Sequence, residues 1–322
     1  MGSQLGAVIR GIGRSLLVLW LVVTLVHLGL FVAGGNPVEM LMDSRLSQSQ
    51  RAQLKTKFGY DASPIQRYKR YLAQTLQGDF GFSFIYKAPV RRVLLPRIGR
   101  SMLLGGMALG MAVLLTLGML WALFQVRWPM LRQGADVSAQ ILLSVPAFVW
   151  APLCLAFFAY GLGWFPTHGS QSLFRDNANL GFIFWDTARH AVLPGLCLAL
   201  PLSGQLVAYL NEQLRGLTHA PFVLSAKGRG VSAGRIFWNH QMRTLLPSFV
   251  QWLGLYLPLL AGGAVVIEAV FGWPGLGLAL FDAVLARDYP LLLGGCLWAT
   301  LLVLPSYFIA DWFREQIAER TS

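Results

Sequence analysis

The stretch MLLGGMALGMAVLLTLGMLWALF, residues 102–124, contains no charged side chain and decides the class of fold. An α-helix rises about 1.5 Å per residue, so about 20 apolar residues cross a hydrocarbon core about 30 Å thick. The stretch is therefore predicted to form one helix that spans a membrane.

Five other apolar runs of comparable length predict further spans. They cover approximately residues 15–33, 137–161, 192–210, 249–270 and 291–313. The chain of 322 residues is 55% hydrophobic and only 12% charged, whereas about a quarter of the residues of a soluble domain are charged. The sequence therefore predicts an all-α polytopic membrane protein with six transmembrane helices.

The first run follows Arg10 and Arg14, an arrangement that also occurs in cleaved signal peptides. It is longer than the usual apolar segment of a signal peptide, and VAGGNPVEM, which includes its end, only weakly resembles a cleavage site. We therefore expect a retained helix.

Basic residues in the short loops predict the orientation. Arg127 and Arg132 follow the second span, the basic stretch 225–247 follows the fourth span, and Arg314 follows the sixth span. Positive charge in short loops favours the cytoplasm. The loop 35–100 is also basic, but loops longer than about 60 residues translocate largely regardless of charge. We therefore expect both termini in the cytoplasm.

The segment between the first two spans is predicted to be structured. SPIQRYKRYLAQTL, residues 63–76, has a serine at the N-cap and a proline at the first helical position. Its apolar side chains recur at helical spacing: Ile65, Tyr68, Leu72 and Leu76. The pattern predicts an amphipathic helix, and the glycine-bounded turn GDFGFSF, residues 78–84, follows it.

A basic, glycine-broken stretch, SAKGRGVSAGRIFWNHQMRTLLP, occupies residues 225–247 between two apolar runs. Thr218 is predicted to cap a short helix that ends near Gly230. Ser232 is predicted to cap a second helix that ends before Pro247, because the residue before a proline disfavours the helical conformation. Two short helices with a glycine hinge predict a compact knob.

The knob is expected to expose five apolar side chains: Phe222, Val223, Ile236, Phe237 and Trp238. Exposed apolar groups surrounded by charge mark a contact site for another protein. The alternative is a basic membrane anchor without a partner, since positive charge alone favours the cytoplasmic side.

Residues 222–247 resemble the cytoplasmic coupling loop, called the EAA loop, of permease subunits in ATP-binding-cassette importers. Ser225 and Ala226 match the small pair of that motif, and Gly230 matches its glycine. Leu224 stands at the acidic position, where peptide-type permeases often have a non-acidic residue. The resemblance implies a coupling function for six residues: Phe222, Ser225, Ala226, Gly230, Ile236 and Trp238.

Other segments resemble the dipeptide, oligopeptide and nickel permease family over most of the chain. They are GDFGFSF at 78–84, LSVPAFVW at 143–150, GLGWFPTHG at 161–169, HAVLP at 190–194, EAVFGWPGLG at 268–277 and RDYP at 287–290. The resemblance implies the type I importer permease fold, with six transmembrane helices and a structured extracytoplasmic segment after the first helix.

The resemblance also implies how the chain is divided. Residues 1–34 form the N-terminal tail and first helix, and residues 35–100 form the extracytoplasmic segment with its amphipathic helix. Residues 101–313 form a five-helix permease core that includes the coupling loop 217–247, and residues 314–322 form a cytoplasmic tail. The location implied is the bacterial cytoplasmic, or inner, membrane.

The family resemblance implies a permease subunit that forms half of a translocation pathway for peptides or a related small solute. Its expected partners are a second homologous permease subunit, two ATP-binding subunits, an extracytoplasmic solute-binding protein and membrane lipid, but no nucleic acid. The sequence contains no GxxxxGK[ST] phosphate loop. ATP and Mg are therefore expected on the partner subunits, and no catalytic residue is expected in this chain.

No cofactor or metal is expected in the chain itself. Its three cysteines, Cys154, Cys197 and Cys296, lie inside apolar runs and show neither metal-ligand spacing nor a disulfide framework. They are interpreted as small hydrophobic side chains.

A possible gate or pathway is predicted at Glu268, Trp273, Pro274 and Gly275. The segment FGWPGLG resembles a re-entrant turn whose backbone groups need partners, so Glu268 is interpreted as a structural partner, with solute contact as the alternative. Asp311 is interpreted as an anchor. His27 is interpreted as a packed histidine, with a proton relay as the alternative. The GxxxG pair Gly106 and Gly110 is expected to pack against another helix.

Two other classes of membrane protein would show different sequence patterns. A secondary transporter or channel that works without an ATPase would have paired charges near the midplane and inverted repeats. A membrane-embedded hydrolase would need paired carboxylates, HExxH or GxSxG. Neither pattern is evident in the sequence. The solute stays open among a dipeptide, a longer peptide, a nickel chelate and an antimicrobial peptide.

Overall fold

A computed structural model describes residues 2–33, 62–125, 129–172 and 179–304, together with Ser49, Gln53 and Thr56. The chain divides into two compact units. The first unit comprises residues 1–101 and 274–304, and the second comprises residues 102–273 and 305–322.

Helices account for nearly all of the described secondary structure. They are α1 Gly2–Ala33, α2 Pro64–Leu76, α3 Val90–Gln125, α4 Pro129–Ser144, α5 Ala147–Cys154, α6 Leu180–Leu217, α7 Pro221–Gly228, α8 Ala233–Ile236, α9 Met242–Phe271, α10 Leu276–Leu285 and α11 Tyr289–Leu304. Two π-helical stretches continue α5 and α8: Leu155–Gly161 and Phe237–Gln241. Strand β1, Phe82–Ser83, pairs antiparallel with β2, Ala88–Pro89.

Several helices are long and apolar enough to cross a membrane. Within the described residues, three qualify alone: Gly13–Val32, Val90–Gln125 and Leu180–Leu217. Two further spans are possible if each of two bent helix pairs crosses the membrane as one unit, which gives at most five spans. The pairs are Asp136–Ser144 with Ala147–Gly161, and Ala264–Phe271 with Leu276–Leu285. The all-α polytopic architecture is confirmed, whereas the number of spans stays a prediction. Residues 305–313 of the predicted sixth span lie outside the described part of the chain.

The predicted third span, residues 137–161, is not one straight helix. The helical axes of Asp136–Ser144 and Ala147–Gly161 differ in direction by 103°. Pro146 lies at the break with an extended backbone. A proline lacks the N–H for a helical hydrogen bond and disfavours helical geometry in the preceding residue, which explains the bend.

The amphipathic helix predicted before the second span is confirmed as α2. Ser63 and Gln66 form a reciprocal capping box, and Pro64 occupies the first turn. The packed face overlaps the predicted one in part, because Tyr68 and Leu72 contact the apolar core of the first unit together with Tyr71. In contrast, Ile65 is 67% exposed and Leu76 is 89% exposed.

The core of the second unit is organised around α6. Its buried positions include Leu193, Leu206 and Leu210, and they pack with residues of α3, α5 and α9. The closest helix approach lies at Gly204, where an added Cβ would meet the Leu143 backbone nitrogen of α4 at 2.5 Å. This glycine permits close backbone contact between α6 and α4.

The GxxxG pair in α3 does not have the packing that was predicted for it. A Cβ added at Gly106 or Gly110 would meet no atom of the described residues within 4 Å. The expectation of close packing at this pair is therefore wrong within the described part of the chain. Spacing alone does not indicate which glycines of a helix face a neighbour.

Candidate functional site

The coupling loop contains the two short helices that the sequence predicts, with different boundaries. Helix α7 begins at Pro221 after Ala220, and Ser232 immediately precedes α8. Thr218 does not cap α7, because it lies at the end of α6, where its hydroxyl donates to the Leu214 carbonyl at 3.2 Å.

Gly230 ends the first short helix in a left-handed conformation, with φ of 74°. Its N–H donates to the Lys227 carbonyl at 3.0 Å, and the Val231 N–H donates to the Ala226 carbonyl at 3.1 Å. This pair of bonds is a Schellman motif, which needs a left-handed residue at the position of Gly230. The motif gives a physical reason for glycine there.

The coupling loop folds around a small apolar core of its own. Val223, Ala226 and Ile236 are buried, and Ala220 and Val231 pack against them. The expected exposure of Val223 and Ile236 is therefore wrong. The two helices have eight and four residues, and each buries one side by packing on the other. Such short helices have too few apolar residues for their spacing to indicate which side is buried.

Phe237 is also buried, contrary to expectation. Its ring lies 5.3 Å from the ring of Trp121 and 4.8 Å from that of Phe124, measured between centroids. Aromatic rings at these distances pack favourably. Phe237 therefore attaches the coupling loop to the end of α3 and is not available to another protein.

The surface of the coupling loop keeps a smaller apolar patch. Phe222 is 40% exposed, Leu224 is 49% exposed and Trp238 is 45% exposed. Ser225 is exposed as well. Among the six predicted coupling residues, Phe222, Ser225, Gly230 and Trp238 thus lie at the surface, whereas Ala226 and Ile236 lie inside.

The second short helix does not end before Pro247. It continues through the π-helical stretch Phe237–Gln241 into α9, which begins at Met242 and includes Pro247. A proline in a membrane helix is tolerated when neighbouring groups replace its lost hydrogen bond. The coupling loop is therefore continuous with a long helix of the second unit.

The possible gate residues lie around the break after α9. Glu268 and Trp273 are fully buried, and the Trp273 N–H donates to the Glu268 carbonyl at 2.8 Å. Gly272 is left-handed, with φ of 58°. A fully buried carboxylate does not contact a solute in this conformation, which favours the structural interpretation of Glu268.

A loop of the second unit caps the end of α9. The Gly169 N–H donates to the Phe271 carbonyl at 2.8 Å, and a Cβ added at Gly272 would lie 2.0 Å from the His168 ring. The GLGWFPTHG and EAVFGWPGLG segments therefore meet at this point. The hydrogen bond supplies a partner for a backbone group at the helix end.

Pro274 and Gly275 belong to the first unit, where Gly275 precedes α10 and is buried. The Leu276 N–H donates to the Ser101 hydroxyl at 2.7 Å. This bond satisfies one of the free N–H groups in the first turn of α10.

A buried carboxylate that was not predicted as a site residue organises the first unit. Asp288 is fully buried, and its Oδ2 accepts from the Ser83 hydroxyl at 2.7 Å, the Phe84 N–H at 2.7 Å and the Ile85 N–H at 3.1 Å. Its Oδ1 accepts from the Leu291 N–H at 3.2 Å. Asp288 therefore joins the GDFGFSF and RDYP segments and caps α11.

A second polar contact holds the hairpin between β1 and β2. The Tyr86 hydroxyl donates to Asp282 Oδ2 at 2.8 Å, and the Arg97 guanidinium carbon lies 4.2 Å from the Tyr86 ring centroid. Burial, together with the hydrogen bond to Asp282, raises the pKa of Tyr86 to about 12. Tyr86 therefore keeps its hydroxyl proton at neutral pH.

The remaining ionisable predictions have different outcomes. The His27 ring lies 5.2 Å from the Tyr68 ring, which supports a packed histidine. Asp311 lies outside the described residues. In the described part of the chain, no group of three His, Cys, Asp or Glu side chains could hold a metal ion.

Much of the chain is similar to known transport-system proteins. Residues 114–322 match the family model described as the binding-protein-dependent transport system inner membrane component. The chain is similar to the oligopeptide transport system permease protein AppB of Bacillus subtilis strain 168, with 29% identity over 282 residues that cover 87% of each chain.

Two further relatives have similar extents. A peptide permease protein of Brucella suis biovar 1 is 30% identical over 295 residues, which cover 89% of this chain and 88% of the relative. The glutathione transport system permease protein GsiC of Salmonella typhimurium strain LT2 is 29% identical over 276 residues, or 85% of each chain. The similarity therefore extends well beyond the coupling loop.

Proposed function

The chain belongs to the binding-protein-dependent transport system inner membrane component family, and from this premise we propose how it couples a solute pathway to ATP hydrolysis on other subunits. It is a permease subunit of an ATP-binding-cassette importer of the peptide, oligopeptide and nickel type. Family membership favours this function over a secondary transporter or channel.

The observation that carries the proposal is the surface patch formed by Phe222, Leu224 and Trp238 on a folded coupling loop. A loop with its own buried core moves as a rigid body, and its exposed apolar patch is suited to a groove on a soluble protein. The buried Phe237 then transmits movement to α3, and the continuous π-helical stretch transmits it to α9.

The proposed complex contains this chain, a second homologous permease subunit, two ATP-binding subunits and an extracytoplasmic solute-binding protein. ATP and Mg bind to the ATP-binding subunits, which hydrolyse the nucleotide. The coupling loop and both termini lie in the cytoplasm, and the segment with α2 lies outside the inner membrane. The buried segment around Glu268 and Trp273 holds the gate region in shape.

The proposed solute is a peptide. Three relatives that align over most of this chain are named for oligopeptide, peptide and glutathione transport. Glutathione is itself a small peptide, so the three names agree on a chemical class. Peptide length and sequence are set in part by the solute-binding protein.

Replacement of Gly230 tests the coupling function. Gly230→Val places a β-branched residue at φ of 74°, a conformation that costs about 1–3 kcal/mol. We expect the stimulation of ATPase activity by the solute-binding protein to fall about tenfold in the reconstituted complex, because a cost of 1.4 kcal/mol corresponds to a factor of ten.

Two matched variants separate backbone strain from side-chain bulk. Gly230→Asn should retain most of the stimulation, because asparagine tolerates the left-handed conformation better than other residues. Gly228→Ala should also retain it, since Gly228 is the last residue of α7 and an added Cβ there meets no described atom within 4 Å. Full stimulation with Gly230→Val would contradict the proposed coupling function.

A further inference from the structure

The segment 162–172, here called the outer strap, connects α6 with the end of α9 inside the second unit. Helix α9 begins in the coupling loop and has 30 residues, which correspond to about 45 Å at about 1.5 Å per residue. The strap therefore contacts α9 at the end that is far from the coupling loop. In the proposed orientation, that end lies on the extracytoplasmic side.

Polar contacts attach the strap to α6 near both of its ends. Near the first end, Arg189 donates to the Trp164 carbonyl from Nη2 at 3.0 Å and from Nε at 3.3 Å. At the other end, the N–H and the hydroxyl of Ser172 each donate to an oxygen of the Asp186 carboxylate at 2.7 Å. Each of these bonds involves a charged side chain of α6.

The attachment of the strap to α9 is of a different kind. The Gly169 N–H donates to the Phe271 carbonyl at 2.8 Å, which is a bond between neutral backbone groups. The His168 ring lies directly against Gly272, where an added Cβ would overlap with it. Hydrogen bonds to charged groups are about twice as strong as neutral ones. The described contacts therefore hold the strap more firmly to α6 than to α9.

The end of α9 that the strap contacts belongs to the possible gate. Glu268 and Trp273 are fully buried there, on either side of the residues that the strap touches. A movement of this segment relative to α6 must break one of the two attachments of the strap. Separation from α9 breaks the weaker one, so the contact of the strap with α9 is the expected point of release.

We propose that the strap is a latch on the gate region. His168 and Gly169 hold the end of α9 in its present position, and they separate from it when the gate moves, while the strap stays on α6. The proposal rests on the proposed function, in which the buried segment around Glu268 and Trp273 belongs to the gate region. Loss of the latch contact should therefore loosen this end of α9 without loosening the strap from α6.

Hydrogen exchange of single backbone amides in the full-length chain, purified in detergent without ATPase, tests the contact itself. Gly272→Ala should displace the His168 ring, because the added Cβ would overlap with it and the ring is at the end of an exposed side chain. We expect exchange of the Gly169 N–H to become about tenfold faster, as for the loss of one neutral hydrogen bond. Exchange of the Ser172 N–H, which is bound to α6, should hardly change.

His168→Ala provides a second route to the same loss at an exposed position that tolerates substitution. It should also accelerate exchange of the Gly169 N–H. Because both changes remove one contact, the double variant should exchange no faster than the faster single variant. An acceleration in the double variant equal to the product of the two single effects would overturn the proposal. Equal acceleration at Gly169 and Ser172, or none at Gly169, would also overturn it.

Distances between spin labels in the assembled complex, reconstituted in lipid vesicles, test the release. The labels are attached to cysteines that replace three exposed residues, Trp164 on the strap, Val270 on α9 and Trp185 on α6, after the native cysteines are replaced by alanine. The resting complex is compared with the complex trapped with ATP and vanadate. The distance from 164 to 270 should increase by several ångström, and the distance from 164 to 185 should stay constant.

The two proposals can fail separately in this measurement. A constant distance from 164 to 270, or an equal change from 164 to 185, would overturn the latch in a sample whose ATPase the solute-binding protein stimulates. That stimulation would leave the proposed coupling function intact. A complex without stimulation would count against the coupling function, and the exchange measurement, which uses no ATPase, would still decide whether the latch contact exists.

Discussion

Gly204→Ala is expected to destabilise the second unit strongly. The added Cβ would lie 2.5 Å from the Leu143 nitrogen and 2.8 Å from the Ala139 carbonyl oxygen, both backbone atoms of α4. Backbone atoms of a helix cannot rotate away as a flexible side chain can. Overpacking of this kind costs about 1–3 kcal/mol and occasionally more. We expect a lower apparent melting temperature in detergent and a smaller yield of monodisperse protein.

Gly216→Ala on the same helix provides the control. An added Cβ at Gly216 meets no described atom within 4 Å, and alanine favours a helix over glycine by about 0.5–1 kcal/mol. Its melting temperature should therefore be unchanged or slightly higher. A Gly204→Ala protein as stable as the Gly216→Ala protein would contradict the close packing of α6 on α4.

Asp288→Ala is expected to break the contact between α11 and the hairpin formed by β1 and β2. It removes the acceptor for the Ser83 hydroxyl and for the N–H groups of Phe84, Ile85 and Leu291. Each buried donor left without an acceptor costs about 1–3 kcal/mol, and the costs are not additive. We expect trypsin to cleave the segment 78–100 rapidly. Gel electrophoresis and mass spectrometry of the fragments would measure this cleavage.

Two conservative variants sharpen the test of Asp288. Asp288→Asn should be less unstable than Asp288→Ala, because its amide oxygen can keep the three donors of Oδ2 while its amide nitrogen faces only the Leu291 N–H. Asp282→Asn should be mild, since the remaining carbonyl oxygen still accepts from the Tyr86 hydroxyl. Protease resistance of Asp288→Ala equal to that of Asp282→Asn would show that the buried carboxylate does not hold the hairpin.

Local sequence signals predicted the elements that depend on neighbouring residues. The serine, proline and glutamine at positions 63, 64 and 66 are sufficient to define the start of α2, because capping acts over a few residues. The glycine at position 230 defines the end of α7 for the same reason. The apolar length of α3 and α6 predicted membrane helices directly.

Contacts between distant segments were not predictable in the same way. Asp288 and Ser83 are 205 residues apart, and each was visible only as part of a separate family motif. An aspartate before Tyr289 and Pro290 is a recognisable helix start, so the cap of α11 could have been found from the sequence. The three hydrogen bonds that the Asp288 carboxylate accepts from the hairpin depend on the tertiary structure and could not be found in this way.

The coupling loop shows a similar limit. Val223, Ile236 and Phe237 are apolar residues in a charged stretch, which indicates exposure only if the loop has no core of its own. The structure buries them against Ala226, Trp121 and Phe124. The prediction that a helix ends before Pro247 is also wrong, because packing in a helical bundle overrides the local preference against helix.

Site-specific photo-crosslinking in the assembled complex tests most directly whether the coupling loop contacts an ATP-binding subunit. A p-benzoylphenylalanine in place of Trp238, which is 45% exposed, should form a covalent adduct with that subunit. The same group in place of Leu76, 89% exposed on α2, should form none. An ATP-binding subunit that crosslinks at Leu76 and not at Trp238 would contradict the proposed coupling.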